Sequence, residues 1–118
     1  MNMPKKSLDI LTESMYYVLM SFHAKEMCGN EITEYIASIT KGRIHMGPGT
    51  LYTILSTFSK ENLIKKSRQD GRKIYYAITE KGEEIYQFEL ERLHKCIMDA
   101  EKIEMMRETK MKEGRAIE

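Results

Sequence analysis

Tryptophan is absent from these 118 residues, proline occurs only twice, and cysteine only twice. Cys28 and Cys96 form no Cys-x-x-Cys pair, so a disulfide framework is excluded and two buried thiols in a reducing compartment are expected. No apolar run approaches the roughly 18 residues that a membrane span needs. The opening Met1-Asn2-Met3-Pro4-Lys5-Lys6-Ser7 is basic, but Asp9 follows and no unbroken apolar stretch does, so a secretory signal is not expected and a cytoplasmic location is. The three histidines, His23, His45 and His94, never stand at i,i+4 spacing, which argues against a zinc site. No nucleophile motif or acid–base pair appears. Gly47-Pro48-Gly49-Thr50 lacks the lysine and the spacing of a phosphate-binding loop. An enzyme is therefore not expected, nor a metal or a cofactor. Hydrophobic residues at 42% and charged residues at 31% instead suit one ordinary globular domain.

Methionine is the residue in excess, at 10, and suggests an adaptable core or contact surface. Net charge is only +1, but it is unevenly spread. Residues 41–81 carry nine basic groups against three acidic ones, and the segments on either side are net acidic. A basic middle of this kind is an electrostatic footprint for a polyanion, or else a solvated face.

Apolar spacing predicts a first helix over 11–22, with Leu11, Met15, Val18, Leu19 and Phe22 on one face and Thr12 as N-cap. A second helix is expected from about Glu31 to Ile39, with Ile32, Tyr35, Ile36 and Ile39 in its stripe and Gly42 beyond its end. Gly47-Pro48-Gly49 opens a third, whose buried stripe is Leu51, Leu55 and Phe58 and which Asn62 stops. Thr50, Thr53, Ser56, Thr57 and Lys60 then face outward. Two strands follow, Leu63 to Gln69 and Lys73 to Ile78, joined at Asp70-Gly71, a hairpin signal. A long helix is expected from about Glu83 to Arg107, and a frayed polar tail from there to Glu118.

The order helix, helix, helix, hairpin, long helix is that of a mainly α winged helix-turn-helix carrying a C-terminal dimerisation helix. The expected division is 1–81 for the DNA-binding domain, 82–107 for the dimerisation helix and 108–118 for a disordered tail. In such a domain the third helix enters the major groove and the hairpin wing reaches phosphates or the adjoining minor groove. The positive charge falls on those two elements. Small hydroxyl residues on the outward face of the third helix can approach bases and phosphates closely. Gly49, Thr50, Tyr52, Thr53 and Ser56 on the third helix are the candidate DNA contacts, with His45 before it and Lys65, Lys66, Arg68, Arg72 and Lys73 on the wing. Tyr52 also suits a core position. The apolar stripe of the long helix, Ile85, Phe88, Leu93, Cys96, Ile97, Ala100 and Ile103, exceeds what so small a domain can cover, so a second copy is expected to bury it. The competing readings are a winged helix that binds a protein and one whose main task is to sense a ligand.

The chain also resembles the PadR-type transcriptional regulators. The similarity runs from Leu11-Thr12-Glu13-Ser14-Met15-Tyr16-Tyr17-Val18-Leu19 through Cys28-Gly29-Asn30-Glu31-Ile32 to Met46-Gly47-Pro48-Gly49-Thr50-Leu51-Tyr52. It resumes over Gly71 to Gly82, ending in Thr79-Glu80-Lys81-Gly82. The short C-terminal region is similar to the subclass with a single dimerisation helix. The resemblance implies a homodimer on a pseudo-palindromic operator of double-stranded DNA, usually a repressor, with the long helix packed on the partner's first helix. It adds Tyr17 as a phosphate contact, although a half-buried core tyrosine fits equally. Some members of the family release DNA on binding a phenolic acid or another small hydrophobic effector. Met15, Tyr16, Leu90, Leu93 and Ile97 are the residues here that would line such a site. Leu93 stands where a drug-sensing subgroup has a tryptophan, which argues against a flat-drug sandwich. Asn30 replaces the family's usual tyrosine.

Overall fold

The computed structural model describes residues 11–117. It runs α1 (Glu13–Ala24), β1 (Met27–Cys28), α2 (Gly29–Ile39), α3 (Pro48–Lys60), β2 (Ile64–Asp70), β3 (Lys73–Ile78) and α4 (Glu80–Ile117). The chain divides into two compact units, Met1–Gln87 and Phe88–Glu118.

Local chemistry sets each helix boundary. Thr12 caps α1, its hydroxyl oxygen accepting from the Met15 amide at 3.1 Å. The Cys28 amide donates to the Glu31 carboxylate at 3.2 Å, so α2 starts at Gly29, two residues before the expected Glu31. Its far end is closed by Gly42, at φ +78°, whose amide donates to the Ala37 carbonyl at 2.8 Å. The buried Thr40 hydroxyl donates to the Ile36 carbonyl and accepts from the Ile44 amide, which satisfies it without water. Gly47 is the N-cap of α3 and Pro48 its first residue. Asn62, at φ +63°, turns the chain so that the Leu63 amide reaches the Phe58 carbonyl at 2.8 Å.

The three helices pack around Val18, Leu19, Phe22, Met27, Ile32, Ile36, Phe58 and Leu63, all essentially inaccessible. Ile39, expected in this core, lies 43% exposed; the buried side of the last turn is formed by Ile36 and Thr40 instead.

The sheet has one strand more than expected. β1, read from sequence only as chain punctuation, pairs antiparallel with β3, Met27 opposite Tyr76 and Cys28 opposite Tyr75. The strand order is β1-β3-β2. Two residues are too few to show a strand period, so only the pairing identifies it. The hairpin turn is Gly71-Arg72 rather than Asp70-Gly71. Asp70 is still paired, with Lys73, and Gly71 takes the positive φ (+62°) that the first turn position demands. A bulge between Lys66 and Arg68 shifts the register.

Arg68 crosses the face of β3. Its guanidinium carbon lies 3.6 Å from the centroid of the buried Tyr75 ring, and its Nε donates to Glu26 at 2.8 Å. A hydrogen bond from Ser67 and this one from Arg68 hold the Glu26 carboxyl below the usual carboxylate range. The clasp fastens the wing to the segment that enters β1.

Thr79-Glu80-Lys81-Gly82 is a joint. The Thr79 amide donates to the Leu63 carbonyl, and its hydroxyl donates to the Asn62 carbonyl at 2.7 Å and accepts from the Gly82 amide at 3.0 Å. Lys81 Nζ donates to the Glu61 carbonyl. The end of α3 is thereby bonded to the start of α4. The first turns of α4 belong to the winged core: Ile85 is buried, and the Tyr86 ring stacks on Tyr16 at 5.3 Å and on His23 at 4.2 Å, with His23 Nδ1 2.8 Å from the Glu83 carboxylate. The compact unit accordingly reaches Gln87, past the expected boundary at 81.

α4 does not stop at Arg107. It continues to Ile117, ten residues past the expected end and through the stretch expected to be a frayed tail. The segment Glu108-Thr109-Lys110-Met111-Lys112-Glu113 is made mostly of strong helix formers without proline, and its polarity is that of an exposed helix rather than of a coil.

Two outcomes follow for stability. A methyl group at Gly82 would sit 2.3 Å from the Leu63 carbonyl oxygen and 2.7 Å from the Ile78 side chain, so Gly82→Ala is expected to cost about 3 kcal/mol in urea unfolding. The Glu26 carboxyl, with its lowered pKa, contributes stability that is present at neutral pH and lost as pH falls through that pKa. Unfolding measured from pH 7 to pH 3 should therefore show a shallower acid loss in Glu26→Gln than in the wild type.

Candidate nucleic-acid interface

The outward side of α3 is as the sequence predicts. Gly49, Thr50, Thr53 and Ser56 are exposed, and Tyr52 is 63% exposed, so its ring is not a core element. The hydroxyls are not equivalent. Thr53 donates to the Gly49 carbonyl at 3.0 Å, and Thr57 donates to the Thr53 carbonyl at 3.0 Å. Their protons are committed to the helix, and the oxygens remain as acceptors, suited to base amino groups rather than to phosphates. Thr50 and Ser56 make no such bond among the described residues.

The wing carries Lys65, Lys66, Arg68, Arg72 and Lys73, all exposed. Lys66 Nζ donates to Gln69 Oε1 at 2.7 Å, and Arg68 is held in the clasp. Lys65, Arg72 and Lys73 form no ion pair among the described residues. Side chains alternate across β3, so Arg68 and Tyr75 occupy one face while Ile74 and Tyr76 occupy the other. That second face looks onto α3. Between them lies a groove of about 250 Å³ lined by Cys28, Gly29, Asn30, Tyr52, Leu55, Arg72, Lys73, Ile74 and Tyr76. The structure thus brings Tyr52 and Arg72 together, with Lys73 at the groove's edge; by the same alternation the Lys73 side chain shares the Tyr75 face with Arg68. The sequence reading missed the share of Gly29 and Asn30, which only the placement of α2 beside the wing reveals.

Tyr17 accepts a hydrogen bond from Arg43 Nη2 at 2.8 Å, and this bond holds the Arg43 guanidinium even more firmly protonated than usual. Arg43, read from sequence as a solvated charge, is therefore positioned by Tyr17. His45 is exposed on the link into α3.

The residues expected to line an effector site fall into different units. Met15 and Tyr16 stand on α1 in the first, and Leu90, Leu93 and Ile97 on α4 in the second. Tyr16 is buried against Tyr86. Of the expected dimer stripe, Ile85 is already buried in the chain's own core and has little surface left to offer. Phe88 and Leu93 are partly exposed, and Cys96, Ile97, Ala100 and Ile103 are exposed, Ile97 by 57% and Ile103 by 52%. Cys28 is buried as expected and Cys96 is not. Among the described residues there is no grouping of three His, Cys, Asp or Glu side chains that could hold a metal, and no helix is long and apolar enough to cross a membrane.

Comparison with known proteins bears on this arrangement. The model of the transcriptional regulator PadR-like family matches residues 18–87. No curated protein matches the chain. Among solved structures, a transcriptional regulator from Clostridium thermocellum is 24% identical, with a TM-score of 0.65 over 73% of this chain and 89% of its own. H. salinarum RosR, in its S1 complex, is 25% identical with a TM-score of 0.64 over 92% and 96%. A mutant of Lactococcus lactis ZitR is 20% identical with a TM-score of 0.64 over 85% and 65%, a likeness of fold. The family match spans α2, α3, both wing strands and the joint into α4, the elements that build the face described above. The chain belongs to the PadR-like family of transcriptional regulators, a winged helix-turn-helix protein and not an enzyme.

Proposed function

We propose that this regulator works in the cytoplasm as a homodimer that binds a pseudo-palindromic operator and represses the gene beside it. The observation that carries the reading is the meeting of unlike groups on one face. The outward hydroxyls of α3 stand beside a groove whose wing side carries Arg72, with Lys73 at its edge, and neither cation forms an ion pair among the described residues. Hydroxyl oxygens suit base edges and free cations suit phosphates, so one face supplies both readout and charge neutralisation. The contacts in this reading are Gly49, Thr50, Tyr52, Thr53 and Ser56 on α3, His45 and Tyr17 with its Arg43 on the backbone, and Lys65, Lys66, Arg72 and Lys73 on the wing.

A single domain of this size grips one half-site weakly. Two copies set about 34 Å apart bind adjacent major grooves on one side of the duplex and gain affinity because both engage together. The exposed apolar positions of α4, Leu90, Ile97, Ala100 and Ile103 with Met106 beyond them, are the face that a second copy would cover. The working division is then a DNA-binding domain that includes the first turns of α4 and a dimerisation segment made of the remainder.

Gel shifts on the DNA upstream of the chain's own gene test the reading. Affinity should fall by orders of magnitude between about 50 and 200 mM salt, and Arg72→Ala with Lys73→Ala should weaken all duplexes alike and reduce the slope of log K against log salt by about 4, two phosphate contacts being lost from each protomer. Unchanged binding and slope would remove the wing from the interface. Ile97→Asp with Ile103→Asp should sediment as a monomer and bind a full operator at least tenfold more weakly; a variant that stays dimeric would place the dimer contact elsewhere.

A further inference from the structure

We infer that the groove between α3 and the wing is a seat for a single phosphodiester of the DNA strand that separates the major groove from the adjoining minor groove, and that Asn30 is one of its binding residues. The inference rests on the reading just given, in which α3 lies in one groove and the wing in the next. Those two grooves share one sugar–phosphate backbone as their common wall, so that backbone has to cross whatever lies between the helix and the wing. On this protein that space is the groove lined by Asn30, Tyr52, Arg72 and Lys73 over a floor of Leu55, Ile74 and Tyr76.

The lining fits a phosphodiester. It includes Arg72 and no carboxylate, with Lys73 at its edge. Asn30 and Tyr52 add neutral donors, an amide and a phenol, that can bond a phosphate oxygen without carrying charge. The Tyr52 hydroxyl is turned toward the start of α2, 3.7 Å from where a β-carbon on Gly29 would stand, so it lies within the groove and not over open solvent. The apolar floor suits the uncharged sugar edge. Asn30 is exposed and makes no side-chain bond among the described residues, so its amide is uncommitted.

Charge changes at Asn30 test the seat, read by the affinity of the full-length protein for a duplex at 50 mM salt. Asn30→Asp should weaken binding about tenfold and Asn30→Lys should strengthen it severalfold. The same two changes at Ser38, about 12 Å further along α2, should stay within about twofold. Thermal melting should differ by only a few degrees among the four, Asp being favoured at position 30 in the first turn of α2 and Lys at position 38 in its last. Walking a single neutral methylphosphonate along each half-site should reveal one linkage whose neutralisation weakens the wild type and erases the difference between Asn30→Asp and Asn30→Lys. If the wild type binds with steep salt dependence but the two Asn30 variants are equal, or no linkage erases their difference, the seat is wrong and the regulator reading stands. If the wild type binds no duplex, both fall. A third arm titrates inorganic phosphate, followed by the amide resonances of Gly29 and Asn30. Saturation below millimolar with no loss of duplex affinity would mean a free-anion site and overturn the assignment. Weak shifts that duplex DNA abolishes would support it.

Discussion

Strand β3 is paired along both edges, and the placement of the wing depends on that double pairing. A hairpin alone would be marginal, since nearly every side chain of β2 beyond Ile64 is exposed and contributes nothing to a core. The two residues of β1 change this. They give β3 a second partner bonded directly to the start of α2, and Phe22 meets Tyr76 edge-on from beneath. Arg68 adds a clasp over the outer face through Tyr75 and Glu26. Held from three sides, the hairpin stands at a fixed distance from α3, and the groove between them exists for that reason.

The joint at Thr79-Glu80-Lys81-Gly82 does for α4 what β1 does for the wing. One threonine side chain donates to the carbonyl of Asn62 and caps the next helix, while Gly82 lets the helix pass against the Leu63 carbonyl where any β-carbon would collide. In sequence this stretch reads as a marker of family. In the structure it is a steric and hydrogen-bonding requirement: the outgoing helix must start within bonding distance of the end of α3. The aromatic stack of Tyr16, Tyr86 and His23 extends the same attachment, so the first turns of α4 form part of the core.

Much of this was legible in the residues. The three helices, most of their buried stripes, Thr12, Pro48 and the hairpin follow from local rules that need only a few neighbours in sequence. The outward character of Thr50, Thr53 and Ser56 follows from the period of α3, and the basic character of the wing from counting. The failures share a cause. β1 is too short for any pattern, and the turn is displaced by one residue because its exact place depends on cross-strand register. Arg68 was grouped with the other wing cations because sequence shows charge but not which charges are already engaged, and here it stacks on Tyr75 and bonds Glu26. Asn30 was noted only as a missing tyrosine, since nothing local indicates that the start of α2 lies beside the tip of the wing.

The sequence by itself determined the order of elements, the apolar faces and the concentration of positive charge, because these depend on residue type and on periods of two or 3.6 along one chain. Tertiary structure alone decided which cations are free and which are already engaged. It also decided which hydroxyls have protons to give, and where α3, the wing and the first turn of α2 converge. Those outcomes depend on distances between residues far apart in the chain, such as Glu26 and Arg68 or Gly29 and Tyr52, and no local pattern encodes them.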